Sequence, residues 1–361
     1  MAIVQLSAGP QRSVALDNQG AAWGWGAFKT AYPGLQDALP AELCFTNKTE
    51  IGHRRYAQPY AQMLNPGTPF RFIADGSTHI LGACETGALL ACRPVIAPEH
   101  GAAHQTVQAI PKGIRQLATM QTVSLAVLEN GDVWSWGFNH QGQLGRPAQP
   151  AQNPAAALDG LPAIASLACG SAHALALDES GSVWSWGANQ AGQLGHGTLK
   201  SCNRPAKVEL PESITAIAAG DTHSMALDAT GQLWAWGSNN HGQTGSADGA
   251  YFTDPVMIQT DFPVRQIDGG LFYTAALSEQ GEVFVWGWNG LGQTGLSQPH
   301  SSPQAVQIAG LPPVTTLAAG AGHVLASDGL TVFAWGDNRS AACGRAAQDT
   351  VVLTPNSIRL A

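Results

Sequence analysis

Four histidines, His79, His173, His223 and His323, stand at one position of a repeated segment, and Arg12, Val123 and Tyr273 fill it elsewhere. A ring of imidazoles first suggests a metal centre. Zinc needs nitrogen donors at about 2.0–2.1 Å, whereas packed sheets stand about 10 Å apart. Equivalent side chains on neighbouring sheets therefore do not converge on one ion, and the expected role is a buried histidine hydrogen-bonded to a neighbouring backbone. Gly290-Leu-Gly-Gln-Thr-Gly295 has the spacing that cradles a pyrophosphate between a strand and a helix. Its equivalents Gly142-Gln-Leu-Gly145, Gly192-Gln-Leu-Gly195 and Gly242-Gln-Thr-Gly245 show instead that these glycines belong to the repeat, with no helix after them. No metal and no nucleotide cofactor is expected. G-x-S-x-G, H-E-x-x-H and the P-loop are absent, so no catalytic residue is assigned. The six cysteines form no C-x-x-C or zinc spacing and read as reduced, mostly structural thiols. Asn47-Lys-Thr49 has the N-glycosylation pattern and is discounted, since no secretory signal accompanies it.

The elements that position these residues follow from composition. Forty-two glycines, 22 prolines and 11 tryptophans with 12% charged residues in 361 describe a turn-rich, repetitive chain rather than a helical enzyme. A hydrophobic fraction of 44% is enough for a sizeable core, and no long uncharged apolar run suggests a membrane span. The formal charge of -8 offers no basic footprint for nucleic acid. The first nine residues lack the pattern of a secretory signal, so the expected location is cytoplasmic.

Trp134-Ser-Trp-Gly137, Trp184-Ser-Trp-Gly187, Trp234-Ala-Trp-Gly237, Phe284-Val-Trp-Gly287 and Phe333-Ala-Trp-Gly336 recur every 50 residues or one fewer. Two weaker copies, ending at Gly26 and at Arg93, bring the count to seven. About 52 residues per unit suits four short strands, the size of one propeller blade. Segments such as Ile214–Gly220 and Ser224–Asp228 are too short between turn signals for stable helices. Fourth strands are expected at Pro205–Leu210 and Pro355–Leu360. Tryptophans two apart share one strand face, where they fill the space between sheets. The expected fold is all-β: a closed seven-bladed β-propeller with four-stranded antiparallel blades, folding as one domain over 1–361. Each blade is built from one repeat, or one strand is exchanged at the seam. An irregular excursion over 27–70 separates repeats 1 and 2 and is where any helix is expected.

The pattern Gly-x-x-His-(Ala/Ser)-x-Ala-Leu, then Gly-x-x-Trp-x-Trp-Gly-x-Asn-x-x-Gly-Gln-(Leu/Thr)-Gly, resembles the regulator-of-chromosome-condensation repeat. The match is close over about 114–361 and holds in outline before that. The resemblance implies the propeller fold and leaves function open, because the family includes an exchange factor for a small GTPase, a plant UV-B receptor and a bacterial β-lactamase inhibitor. The receptor branch resembles Gly-Trp-Arg-His-Thr at turns where this chain has Ser171-Ala172, Asp221-Thr222 and Ala321-Gly322. A UV-B sensor is therefore disfavoured, and the inhibitor branch is secreted.

Alternating strand direction places the Gly-x-x-His turns and the Trp-Gly-x-Asn loops on one face, with varied side chains suited to recognition. Leu271, Phe272 and Trp288 put three large apolar groups on the blade formed by repeat six. Exposed, they make a partner anchor; packed under a loop, they are core. Phe138 is a further candidate after Trp-Gly. In the excursion, Arg54 and Arg55 with Tyr56 could clamp an anion or simply be solvated. The leading reading is a non-enzymatic protein–protein interaction module. A guanine-nucleotide exchange factor is second, because Ala219-Gly-Asp-Thr-His223 resembles a turn by which that subfamily contacts its GTPase, making Asp221 the candidate. A small-molecule or enzymatic site at the central channel mouth is third.

Overall fold

The computed structural model describes residues 1–29, 44–45, 55–65, 67–76, 79–93, 103–106, 110–120, 123–147, 149–211, 213–298 and 300–360, with backbone alone at 28–29, 44–45, 55–59, 92–93, 103–106 and 149–152. These residues form seven antiparallel sheets, six of four strands in sequence order and the first of five, its extra short strand Cys44–Phe45 pairing on the outer edge. Blade 4 is typical, with strands Ile164–Cys169, His173–Asp178, Val183–Gly187 and Cys202–Lys207. First strands of successive blades contact one another, and the first strand of blade 7, Thr316–Ala319, contacts that of blade 1, Ile3–Ala8. The innermost strands thus encircle a central axis and the ring is closed. No helix occurs among the described residues, and hence none long and apolar enough to cross a membrane.

The ring closes without strand exchange, since blade 7 ends with its own fourth strand, Val351–Ile358. Individual hydrogen bonds from side chain and backbone join the seam instead. Trp25 donates its indole N–H to the Ala342 carbonyl at 2.8 Å, and the Ile3 amide meets the Gly329 carbonyl at 2.7 Å. Three sequence expectations shift. The fourth strands begin earlier, at Cys202 and Val351, because Pro205 and Pro355 lie inside register breaks that a residue without an N–H tolerates. The excursion is narrower than 27–70: Ala22–Lys29 continues as strand, Arg55–Met63 is the fourth strand of blade 1, and Cys44–Phe45 pairs outside it. The described part of that segment is strand and turn, with no helix.

The repeat motif has a packing reason. In the second strand both faces meet neighbouring sheets, so His173–Asp178 is buried at every residue. A Cβ at Gly170, Gly220 or Gly270 would overlap the ring of His173, His223 or Tyr273, so the glycine three residues before the aromatic lets that ring lie on the backbone. Gly187 combines a φ of +106° with close approach to the Ala172 carbonyl, which explains why the strand ends on glycine.

Each of the four histidines bonds a hydroxyl of the next blade; His323 also bonds the backbone of Arg12, the kind of partner expected, whereas for His173 and His223 the hydroxyl replaces it. His173 Nε2 lies 2.9 Å from Ser224 Oγ, His223 Nε2 3.0 Å from Thr274 Oγ1, His323 Nε2 2.9 Å from Ser13 Oγ, and His79 Nε2 3.0 Å from Ser124 Oγ. Ser224 Oγ donates to the Gln193 carbonyl at 2.7 Å, so it accepts from His173 Nε2–H. Tyr273 donates to the carbonyls of Gly320 and His323 at 2.8 and 2.6 Å, and Arg12 reaches Asp75 of blade 2. One repeat position therefore ties blade to blade around most of the ring. At Val123 no such side-chain bond is chemically available.

Burial lowers the His173 pKa to about 4. A depressed folded pKa means that the unfolded chain binds more protons between about pH 6.5 and 4, so the contribution of neutral His173 is complete above that window and is lost as pH falls through it. His173→Gln is expected to flatten the acid limb of stability by up to about 1.4 kcal/mol per pH unit. Urea midpoints at pH 7 and 5.5 check this; parallel pH dependences for variant and wild type would show that His173 titrates normally.

Candidate functional site: the loop face

The residue after each Trp-x-Trp-Gly bonds back to the Gly-x-x-His turn of its own blade. Ala188, Ser238 and Trp288 amides each donate to the carbonyl of Ala172, Thr222 or Phe272 at 2.8 Å. Turns and loops therefore open onto one face, as the alternation of strands requires. Neighbouring turns are also joined, Ser171 N to Asp221 O at 3.3 Å, Asp221 N to Gly270 O at 3.1 Å and Leu271 N to Ala321 O at 3.2 Å. Backbone hydrogen bonds thus tie the turns of blades 4 to 7 together on this face.

Its loops are held by a repeated asparagine. Asn189 Oδ1 accepts from the Leu194 amide at 2.9 Å while Nδ2 donates to the carbonyls of Thr198 and Lys200 at 2.8 and 3.0 Å. Asn139, Asn239, Asn289 and Asn338 do the same in their blades. The carbonyl of the Gln that follows takes the next blade's indole N–H, Trp236 to Gln193 at 2.9 Å and Trp286 to Gln243 at 3.1 Å. These roles were legible in the repeat as Trp-Gly-x-Asn-x-x-Gly-Gln, although sequence reading assigned them to none of the residues.

On blade 6 the structure brings Phe272 and Trp288 together, edge to face with ring centroids 5.9 Å apart. Both are half-buried, between the exposed anchor and the core residue that sequence leaves open. His241 of blade 5, which sequence reading missed, completes the cluster at 5.2 Å from Phe272 and 6.3 Å from Trp288. Its Nδ1 lies 3.1 Å from Ser301 Oγ. The available signal was its place in a varied loop position, shared with Gln141, Ala191 and Leu291. Leu271, also half-buried, lies in the same turn as Phe272. A cavity of about 390 Å³ opens beside His241, lined also by Asn240, Ser246 and Ser301. A second, of about 420 Å³, lies between blades 5 and 6 against Phe284 and Trp286.

Asp221 is half-buried on the turn beside that of Phe272, and burial raises its pKa. Among the described residues no donor or cation bonds its carboxylate. Phe138 sits on blade 3, stacked on His140 at 5.5 Å and apart from the blade 6 cluster. Arg54 lies outside the described residues, and Arg55 and Tyr56 are described only as backbone at the start of the strand Arg55–Met63. Among the described residues no group of three or more His, Cys, Asp or Glu side chains is placed to hold a metal.

A family model for the RCC1-like domain matches residues 2–361. The fold is similar to human WBSCR16, with a TM-score of 0.76 and 21% identity over 93% of this chain and 94% of that one. It is also similar to Prp20p from Saccharomyces cerevisiae, with a TM-score of 0.75 and 22% identity over 95% and 87% of the two chains. The ectodomain of the Physcomitrella patens receptor kinase CR4 follows at 0.56 and 15%, over 93% of this chain and 74% of that one.

Proposed function

The chain belongs to the RCC1-like domain family, and from that membership we propose that residues 1–361 act as one seven-repeat, non-enzymatic module that binds a partner protein through the loop face. The observation that carries this reading is the Phe272–Trp288–His241 cluster, half-exposed at the boundary of blades 5 and 6. Aromatic side chains at a partly open, rigidly backed position are the type that dominates interfaces. The turns beneath are fixed by inter-blade bonds, so the partner meets a preorganised surface.

Affinity capture from the native lysate tests it, with wild type and a Phe272→Ala/Trp288→Ala double variant as baits. A partner retained by wild type and lost by a folded double variant is expected. Equal recovery by both baits would move the site elsewhere.

One observation favours a second reading, exchange of guanine nucleotide on a small GTPase. Asp221, in the turn that resembles the exchange-factor contact, presents an unbonded carboxylate on this face. The published structure of Prp20p concerns its binding to Gsp1p and histones. No acceleration of labelled GDP release from a small GTPase is expected here. Release that the protein accelerates and Asp221→Ala abolishes would reverse the order of the two readings.

A further inference from the structure

We infer that the loop-face boundary between blades 5 and 6 recognises an arginine side chain of the partner, its stem lying along Phe272 and Trp288 and its guanidinium reaching Asp221. This rests on the module reading and adds the chemistry of the occupant. Blade 5 supplies His241 and Asp221, and blade 6 supplies the two carbocyclic rings. The Asp221 amide bonds to the Gly270 carbonyl, at the head of the turn that carries Phe272, so the turns that bear the acid and the rings adjoin at one blade junction. Aromatic faces attract cations, guanidinium more often than ammonium.

The Asp221 carboxylate is partly desolvated and has no protein donor or cation among the described residues, whereas Asp337, on the same face in blade 7, already holds Arg339 at 2.7 Å. An incoming guanidinium supplies the missing charge-assisted hydrogen bonds in planar, two-point form. The net charge of -8 favours approach of a basic segment. Isolated acids would hold any cation equally; the adjacent rings select the flat, weakly hydrated one.

The probe is the pentapeptide acetyl-Gly-Ser-Arg-Ser-Gly-amide, compared with versions carrying lysine, norleucine or glutamate at the centre. Binding is read from the indole N–H resonance of Trp288 in the labelled full chain, assigned with Trp288→Phe. Saturable shifts are expected with the arginine peptide, weakened by about tenfold or more in Asp221→Asn and in Phe272→Ala, with unfolding midpoints checked for both. Lysine should bind more weakly and glutamate not at all. Absence of a saturable shift up to the solubility limit, equal binding by Asp221→Asn, or a norleucine peptide as tight as arginine overturns the inference. If the arginine peptide fails while lysate capture still requires Phe272 and Trp288, the module reading stands and only the occupant is wrong.

Discussion

Arg12→Met is expected to destabilise the fold by about 3–5 kcal/mol, among the largest effects of any single substitution in the chain. Arg12 fills the repeat position that histidine holds elsewhere, and its guanidinium donates to Asp75 Oδ1 from Nε at 3.0 Å and from the terminal nitrogen at 2.6 Å. The same nitrogen also donates to the Gly76 carbonyl. Both side chains are nearly inaccessible, at 7% and 0% exposure, so neither charge can turn to water. Burial pushes the Asp75 carboxyl up while Arg12 pulls it down. Removing only the cation leaves a buried acid between blades 1 and 2. An Arg12→Met/Asp75→Leu double variant should regain most of the loss, since an apolar pair of similar volume often replaces a buried ion pair without penalty. Urea unfolding of the three proteins measures this. A single variant that loses less than about 1 kcal/mol would mean that water reaches Asp75.

Trp236→Ala should cost a similar amount, about 3–5 kcal/mol. The ring is fully buried between blades 4 and 5, lies over Gly195 and ties its N–H to the Gln193 carbonyl at 2.9 Å. Truncation opens a cavity and removes the bond. Trp234, two residues earlier on the same strand face, is half-buried and should cost markedly less when cut to alanine. Trp236→Phe keeps most of the volume and separates the hydrogen bond, worth about 1 kcal/mol or a little more, from the packing. Chemical denaturation of the three variants distinguishes these terms, and equal losses for Trp234→Ala and Trp236→Ala would show that the deeper burial of Trp236 carries no extra stability.

Blade count, strand direction and the shared face of turns and loops were legible because the repeat prints them seven times. Glycine beside His173, asparagine at the loop root and paired aromatics two apart recur at fixed spacing in most of the blades, so packing constraints shared by those blades show as sequence periodicity. What was not legible depends on pairs that differ between blades. His173 and Ser224 are 51 residues apart, and nothing local shows that the hydroxyl following one histidine lies against the previous histidine. The same limit hid His241, which joins Phe272 and Trp288 only because neighbouring blades face each other. Strand limits moved for a local reason, since Pro205 reads as a strand start and is accommodated inside a bulge.

The loop face is proposed to bind through its blade 6 aromatics. The most direct test of this is the affinity of the captured partner for Phe272→Ala/Trp288→Ala and for Leu330→Ser, a control on the opposite face where Leu330 is 73% exposed. The double variant should lose about 2 kcal/mol or more, roughly 30-fold, with its unfolding midpoint little changed and Leu330→Ser indistinguishable from wild type. A folded double variant that binds at full strength, or a loss that appears with Leu330→Ser instead, would contradict it.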